Sequence, residues 1–168
     1  WHAFFSTVWI IIYFVQTLLI KQRSILIHQT LGYTSILLAI GVIISGFFVS
    51  IGLVEKALLN GSAGAKPALL INLLDLIMFG VLVALGIRNR RLATSHKRLI
   101  TLATIVLLNA AYFRIGRFLI GPGFAPILLA IVLTSSVIIF FVKSEKKYSQ
   151  EPNKKLWRIA WSIIFIHI

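Results

Sequence analysis

The side chains best equipped for chemistry in this 168-residue sequence are its histidines, His2, His28, His96 and His167. There is no cysteine. That removes disulfides, iron–sulfur clusters, thiolate zinc sites and cysteine nucleophiles together. Two imidazoles at one depth on two helices form the minimum arrangement that ligates a b-type haem between them. His28 and His96 fit that requirement, with Gln16 and Gly32 beside them as further candidates for cofactor contact and Arg23, Lys97 and Arg98 as partners for the propionates. Catalytic zinc is a poorer fit, because His28 and His96 have no third ligand at their depth beyond the weak donor Gln16. A second set of polar residues, His2, Asn72, Asp75, Asn109 and Arg114, reads as a buried polar cluster toward the opposite boundary. Hydrolysis has little to work with: no serine is expected to share its depth with both a histidine and an acid, there is no glycine-rich phosphate loop, and Asp75 is the single acid within an apolar run. Whether the protein is an enzyme stays open.

The surroundings of these residues define the class. Hydrophobic residues make up 59% of the chain and charged residues 12%, and mean hydropathy is +0.97. An ordinary soluble domain has roughly 45–50% and about 25% respectively, so a soluble domain is excluded. A bilayer-spanning helix needs about 20 apolar residues. Runs over about 3–20, 25–54, 67–87, 95–119 and 124–142 meet that length, and the stretch 156–168 reads as the start of a sixth. The predicted fold is therefore an all-α membrane protein, one antiparallel transmembrane helix bundle covering 1–168. The chain opens on Trp1 and closes inside an apolar run, with no recognisable signal peptide, so a longer polypeptide is expected.

Seventeen basic residues against four acidic ones give a net charge of +13. The basic residues lie between apolar runs, so their natural partner is a membrane surface bearing anionic lipids, not nucleic acid. Counted by side, 13 fall with the loops 21–24, 88–98 and 143–155 together with Arg158 just beyond them, and four (Lys56, Lys66, Arg114, Arg117) on the other side. The positive-inside rule then makes the first group cytoplasmic.

Helical periodicity decides which polar groups share a face. At 100° per residue His2, Ser6, Trp9, Tyr13 and Gln16 lie along one line of the first helix and should look into the bundle. On the second helix His28 opens a row of small residues, Gly32, Ser35, Ala39 and Gly46, which suits close helix packing or a flat ligand. On the fourth, His96 and Arg114 stand five turns apart on one stripe, about 27 Å along it. By depth, Gln16, His28 and His96 converge near one boundary. Near the other, Asp75 and Arg114 pair with support from Asn72 and Asn109, which makes an intramembrane acid tolerable.

The run His2-Ala3, Trp9, Gln16-Thr17-Leu18-Leu19, His28-Gln29-Thr30-Leu31-Gly32, then His96-Lys97-Arg98-Leu99 and Arg114 resembles a family of bacterial polytopic inner-membrane proteins of uncharacterised activity. Ala3 stands where that family has Gly, and Gln29 where it has Arg. More distantly, histidines on alternate helices are similar to the transmembrane b-type cytochromes, which implies haem b and electron transfer. Three functions follow as expectations: haem-linked electron transfer through His28 and His96, a non-catalytic subunit packed on other membrane subunits, or small-molecule or proton transport along Asp75 and Arg114.

Overall fold

The structure is a computed structural model that describes residues 1–61, 65–148, 158, 159 and 161–163. Five helices account for nearly all of it: α1 His2–Lys21, α2 Ile25–Leu59, α3 Ala65–Arg88, α4 Ala93–Ile120 and α5 Ala125–Tyr148. Among the described residues there is no strand. Each helix contains a stretch long and apolar enough to cross a membrane. The molecule is an all-α helical bundle of membrane type, and the dominance of helix follows from the solvent: in hydrocarbon each backbone N–H and C=O must be satisfied within its own segment. The sixth apolar run lies largely outside the described residues, of which 158, 159 and 161–163 are helical.

The helix ends follow from local chemistry. α1 stops in a Schellman motif in which the Ser24 N–H donates to the Leu19 carbonyl at 2.9 Å and the Arg23 N–H to the Ile20 carbonyl at 3.0 Å. The residue at the left-handed position of that motif is Arg23, with φ 60°, where glycine is the usual occupant. α2 closes over Asn60 with Gly61 at φ 68°, and α4 ends at Gly121 with φ 94°. α2 runs five residues beyond the end of its apolar stretch at Val54, because Glu55, Lys56, Ala57 and the two leucines are good helix formers that need no membrane. Its 35 residues measure about 52 Å, and no ordinary tilt fits that into about 30 Å of hydrocarbon, so α2 projects past the membrane boundary.

Contacts group the chain into two compact units, Trp1–Gly80 and Val81–Ile168. In the first, α1 packs along α2, and the middle of α3 reaches them through Phe79 and Leu76. Trp9, buried, meets the fully buried Phe79 edge to face with ring centroids 5.0 Å apart. Gly41 admits the Phe5 ring, whose nearest atoms stand 2.8 Å from where a Cβ would be. In the second unit α4 lies against α5. Gly116 there lets the helices touch through their backbones, with Pro126 Cα 3.1 Å from the position of an added Cβ.

Candidate functional site

In the first unit, the polar line predicted on α1 turns inward. Trp9 is the buried residue of that helix, and His2, Ser6, Tyr13 and Gln16 are half-buried while the intervening Phe4, Ile11, Phe14 and Leu18 are exposed. At one end of the line sits His2. Its Nδ1 lies 3.2 Å from Ser45 Oγ, and Ser45 in turn donates to the Gly41 carbonyl at 2.6 Å. With its proton committed, Ser45 Oγ is the acceptor, so Nδ1 carries the hydrogen. Nε2 then faces the Ser6 hydroxyl across 3.5 Å, a contact at the outer edge of hydrogen bonding. Two serines, Ser6 and Ser45, thus stand beside His2. One of the two lies four residues from His2 on the same helix face, but the other is 43 residues away and only tertiary packing brings it in. The group on Nδ1 is a neutral hydroxyl and not the carboxylate that holds the histidine of a Ser-His-Asp triad.

At the other end of α1, Gln16 Nε2 donates to the backbone carbonyl of His28 at 3.1 Å. This contact confirms that Gln16 and His28 share one level within the unit. It also fixes the amide orientation, since a flip would set two oxygens against each other. The Gln16 Oε1 atom is buried and accepts no hydrogen bond. Gly32 lies under the same amide, with Gln16 Nε2 3.7 Å from where its Cβ would stand. Further along the small-residue row, a Cβ added at Gly46 would stand 2.7 Å from Leu76 Cδ2 and 3.0 Å from His2 Cε1. Side chains of α1 and α3 thus occupy the row at Gly32 and Gly46, and its small residues serve helix packing there. Asn72 and Asp75 are half-buried on α3 in this unit.

The second unit contains His96, Asn109 and Arg114. The nitrogen His96 Nδ1 is 2.8 Å from the Gly86 carbonyl. That carbonyl belongs to the last turn of α3, where the chain has already turned away: the Arg90 N–H goes to Ile87 instead. His96 therefore caps α3 from the first turn of α4. Gly86 makes this approach possible, because a Cβ there would stand 2.7 Å from Ile100 Cδ1 and 3.5 Å from Leu99 Cβ. A carbonyl accepts only, so Nδ1 bears the proton and the lone pair of the neutral ring is at Nε2. Metal-ligating histidines are oriented in this way by a hydrogen bond from their other nitrogen.

Asn109, 8% exposed, accepts a hydrogen bond from the Thr134 hydroxyl at 3.2 Å, with Thr134 itself only 1% exposed. This pair is a polar clamp between α4 and α5. Arg114 requires a correction: read from the sequence as part of a buried cluster, it is exposed. Asn109 and Gly116 define the line of α4 that faces α5. Arg114 lies about 140° from Asn109 and about 160° from Gly116 around the helix, so its side chain leaves on the far side. Thr134 is visible in the sequence only as one of three small polar residues in the apolar run 124–142, with nothing in its spacing to single it out as the partner of Asn109.

Among the described residues no group of three or more histidine, aspartate or glutamate side chains is placed to hold a metal ion. A bis-histidine haem requires two ligands, so that criterion leaves it untouched. Comparison of the chain with models of known families, with curated proteins and with solved structures found no match.

Proposed function

We propose that this integral membrane protein binds b-type haem, which Nε2 of His96 would help to hold, and that it transfers electrons within or across the bilayer. The observation that carries the reading is the 2.8 Å contact from His96 Nδ1 to the Gly86 carbonyl. It holds the imidazole in the tautomer a haem iron requires and fixes the ring against a helix end, which lowers the entropic cost of ligation. The second ligand in this reading is His28, on the depth argument from the sequence, with Gln16 fastened to its backbone. Arg23 and Lys97, both exposed, and Arg98 are the cations assigned to the propionates. When bound, haem supplies a reversible one-electron iron couple. The chain's own residues orient the ligand, exclude water through the surrounding apolar helices and set the charge at the boundary. The setting proposed is the bacterial inner membrane, with the basic loops 21–24, 88–98 and 143–155 toward the cytoplasm and its anionic lipids.

An absorption spectrum of the purified protein, oxidised and reduced, tests this. The expected result is a Soret band with sharpened bands on reduction, lost in His96→Ala and in His28→Ala. A protein purified from haem-replete cells with no Soret band, or a band that survives both substitutions unchanged, would overturn it.

A further inference from the structure

The turn between α3 and α4 carries five basic residues in eleven positions, Arg88, Arg90, Arg91, Lys97 and Arg98, and no acidic residue between 88 and 98. Four of them, Arg88, Arg90, Arg91 and Lys97, are exposed. A topology signal needs only the charge, and a disordered loop would provide it equally well. This turn is instead tightly built. The Asn89 side chain donates to the Leu85 carbonyl at 2.8 Å, the Arg90 N–H to Ile87 at 3.1 Å and the Leu92 N–H to Asn89 at 2.8 Å. The cations at 88, 90 and 91 are thus carried on a short closed backbone, so the backbone adds little ordering cost to binding. In their midst Leu92 is 61% exposed. An apolar side chain set among cations at the end of two membrane helices is wasted on a free inorganic anion, but it matches a ligand whose phosphate continues into acyl chain. The first turn of α4 has no side-chain cap, so its backbone amides add to the positive potential of the arginines.

We propose that the α3–α4 turn is a binding site for the headgroup of an anionic phospholipid. The exposed Arg88, Arg90, Arg91 and Lys97 engage the phosphate, and Leu92 lies against the upper acyl chain. The inference rests on the membrane character of the helices and is independent of haem and of which side of the membrane the turn occupies.

Lipid binding to the full-length protein in detergent, followed by native mass spectrometry, tests it with phosphatidylglycerol, phosphatidylcholine and inorganic phosphate as probes. Each cation at such a surface is worth about fivefold in affinity. Wild type is expected to bind phosphatidylglycerol at least tenfold more tightly than phosphatidylcholine and to be little affected by millimolar phosphate. Substituting Arg88, Arg90, Arg91 and Lys97 together by Gln should abolish the preference. The matched variant Lys21→Gln, Lys56→Gln, Arg117→Gln and Lys143→Gln, which removes four exposed charges elsewhere, should keep it. Leu92→Ser should weaken phosphatidylglycerol without affecting the response to free phosphate. Equal loss in the two four-site variants would show diffuse charge attraction only and overturn the site. Absence of any preference in wild type, or competition by free phosphate at the same concentration as lipid, would overturn it as well.

Discussion

Replacing Gly116 by alanine is expected to destabilise the α4–α5 hairpin, although the same change in an open helical position stabilises. The added Cβ would stand 3.1 Å from Pro126 Cα, 3.2 Å from Pro126 Cβ and 3.3 Å from Leu129 Cδ2, where contacts are ordinarily 3.4 Å or more. Relief requires α5 to withdraw by about 0.3 Å, and its nearest atoms are the backbone and ring of a fully buried proline, which cannot rotate away. Overpacking of this kind costs roughly 1–3 kcal/mol. Alanine recovers about 1 kcal/mol over glycine in a helix. The net destabilisation is therefore about 1 kcal/mol, rising to roughly 2–3 kcal/mol for valine, whose branch falls into the same contact. Gly52 is the internal control, since nothing lies within 4 Å of its Cβ position on α2. Gly52→Ala should be neutral or stabilising by up to about 1 kcal/mol. Unfolding in mixed micelles with increasing sodium dodecyl sulfate, followed by circular dichroism, would give the series. If Gly116→Ala proved as stable as wild type, or gained as much as Gly52→Ala, the backbone-to-backbone packing of α4 on α5 would be wrong.

Two further substitutions probe local chemistry. Gln16→Leu removes one hydrogen bond to the His28 carbonyl and also the buried Oε1 that accepts none, and an orphaned buried acceptor costs about 1–3 kcal/mol. The variant should be as stable as wild type or more so in the same unfolding assay, and a loss above about 1 kcal/mol would show that Oε1 has a donor in the membrane. Arg23→Gly relieves a left-handed L-residue at the end of α1 and should stabilise by about 0.5–1 kcal/mol. A decrease in stability would show that the Arg23 side chain contributes more than its backbone strain costs.

The membrane class, the five apolar helices over 2–148 and the inward line of α1 were legible in the sequence because they depend on quantities local to the chain. Hydropathy summed over about 20 residues reports the solvent a segment needs, and 100° periodicity reports which of its residues share a face. His2, Trp9 and Gln16 could be placed together on that basis. Partners from other helices are a different matter. That Ser45 is the acceptor of His2, Phe79 the partner of Trp9, Thr134 the donor to Asn109 and Gly86 the acceptor of His96 follows from helix rotation, and from which glycines let two backbones approach. Glycines 41, 46, 86 and 116 have the same local signature as Gly52, yet the first four accept a neighbour and the last faces open space. Arg114 marks the same limit from the other direction. Its place on one stripe with His96 follows from the unbroken helix α4, but which line of α4 meets α5 depended on Asn109 and Gly116, and that line left the arginine exposed. Sequence periodicity thus determined the faces of each helix, whereas only packing between helices decided which face was the inside.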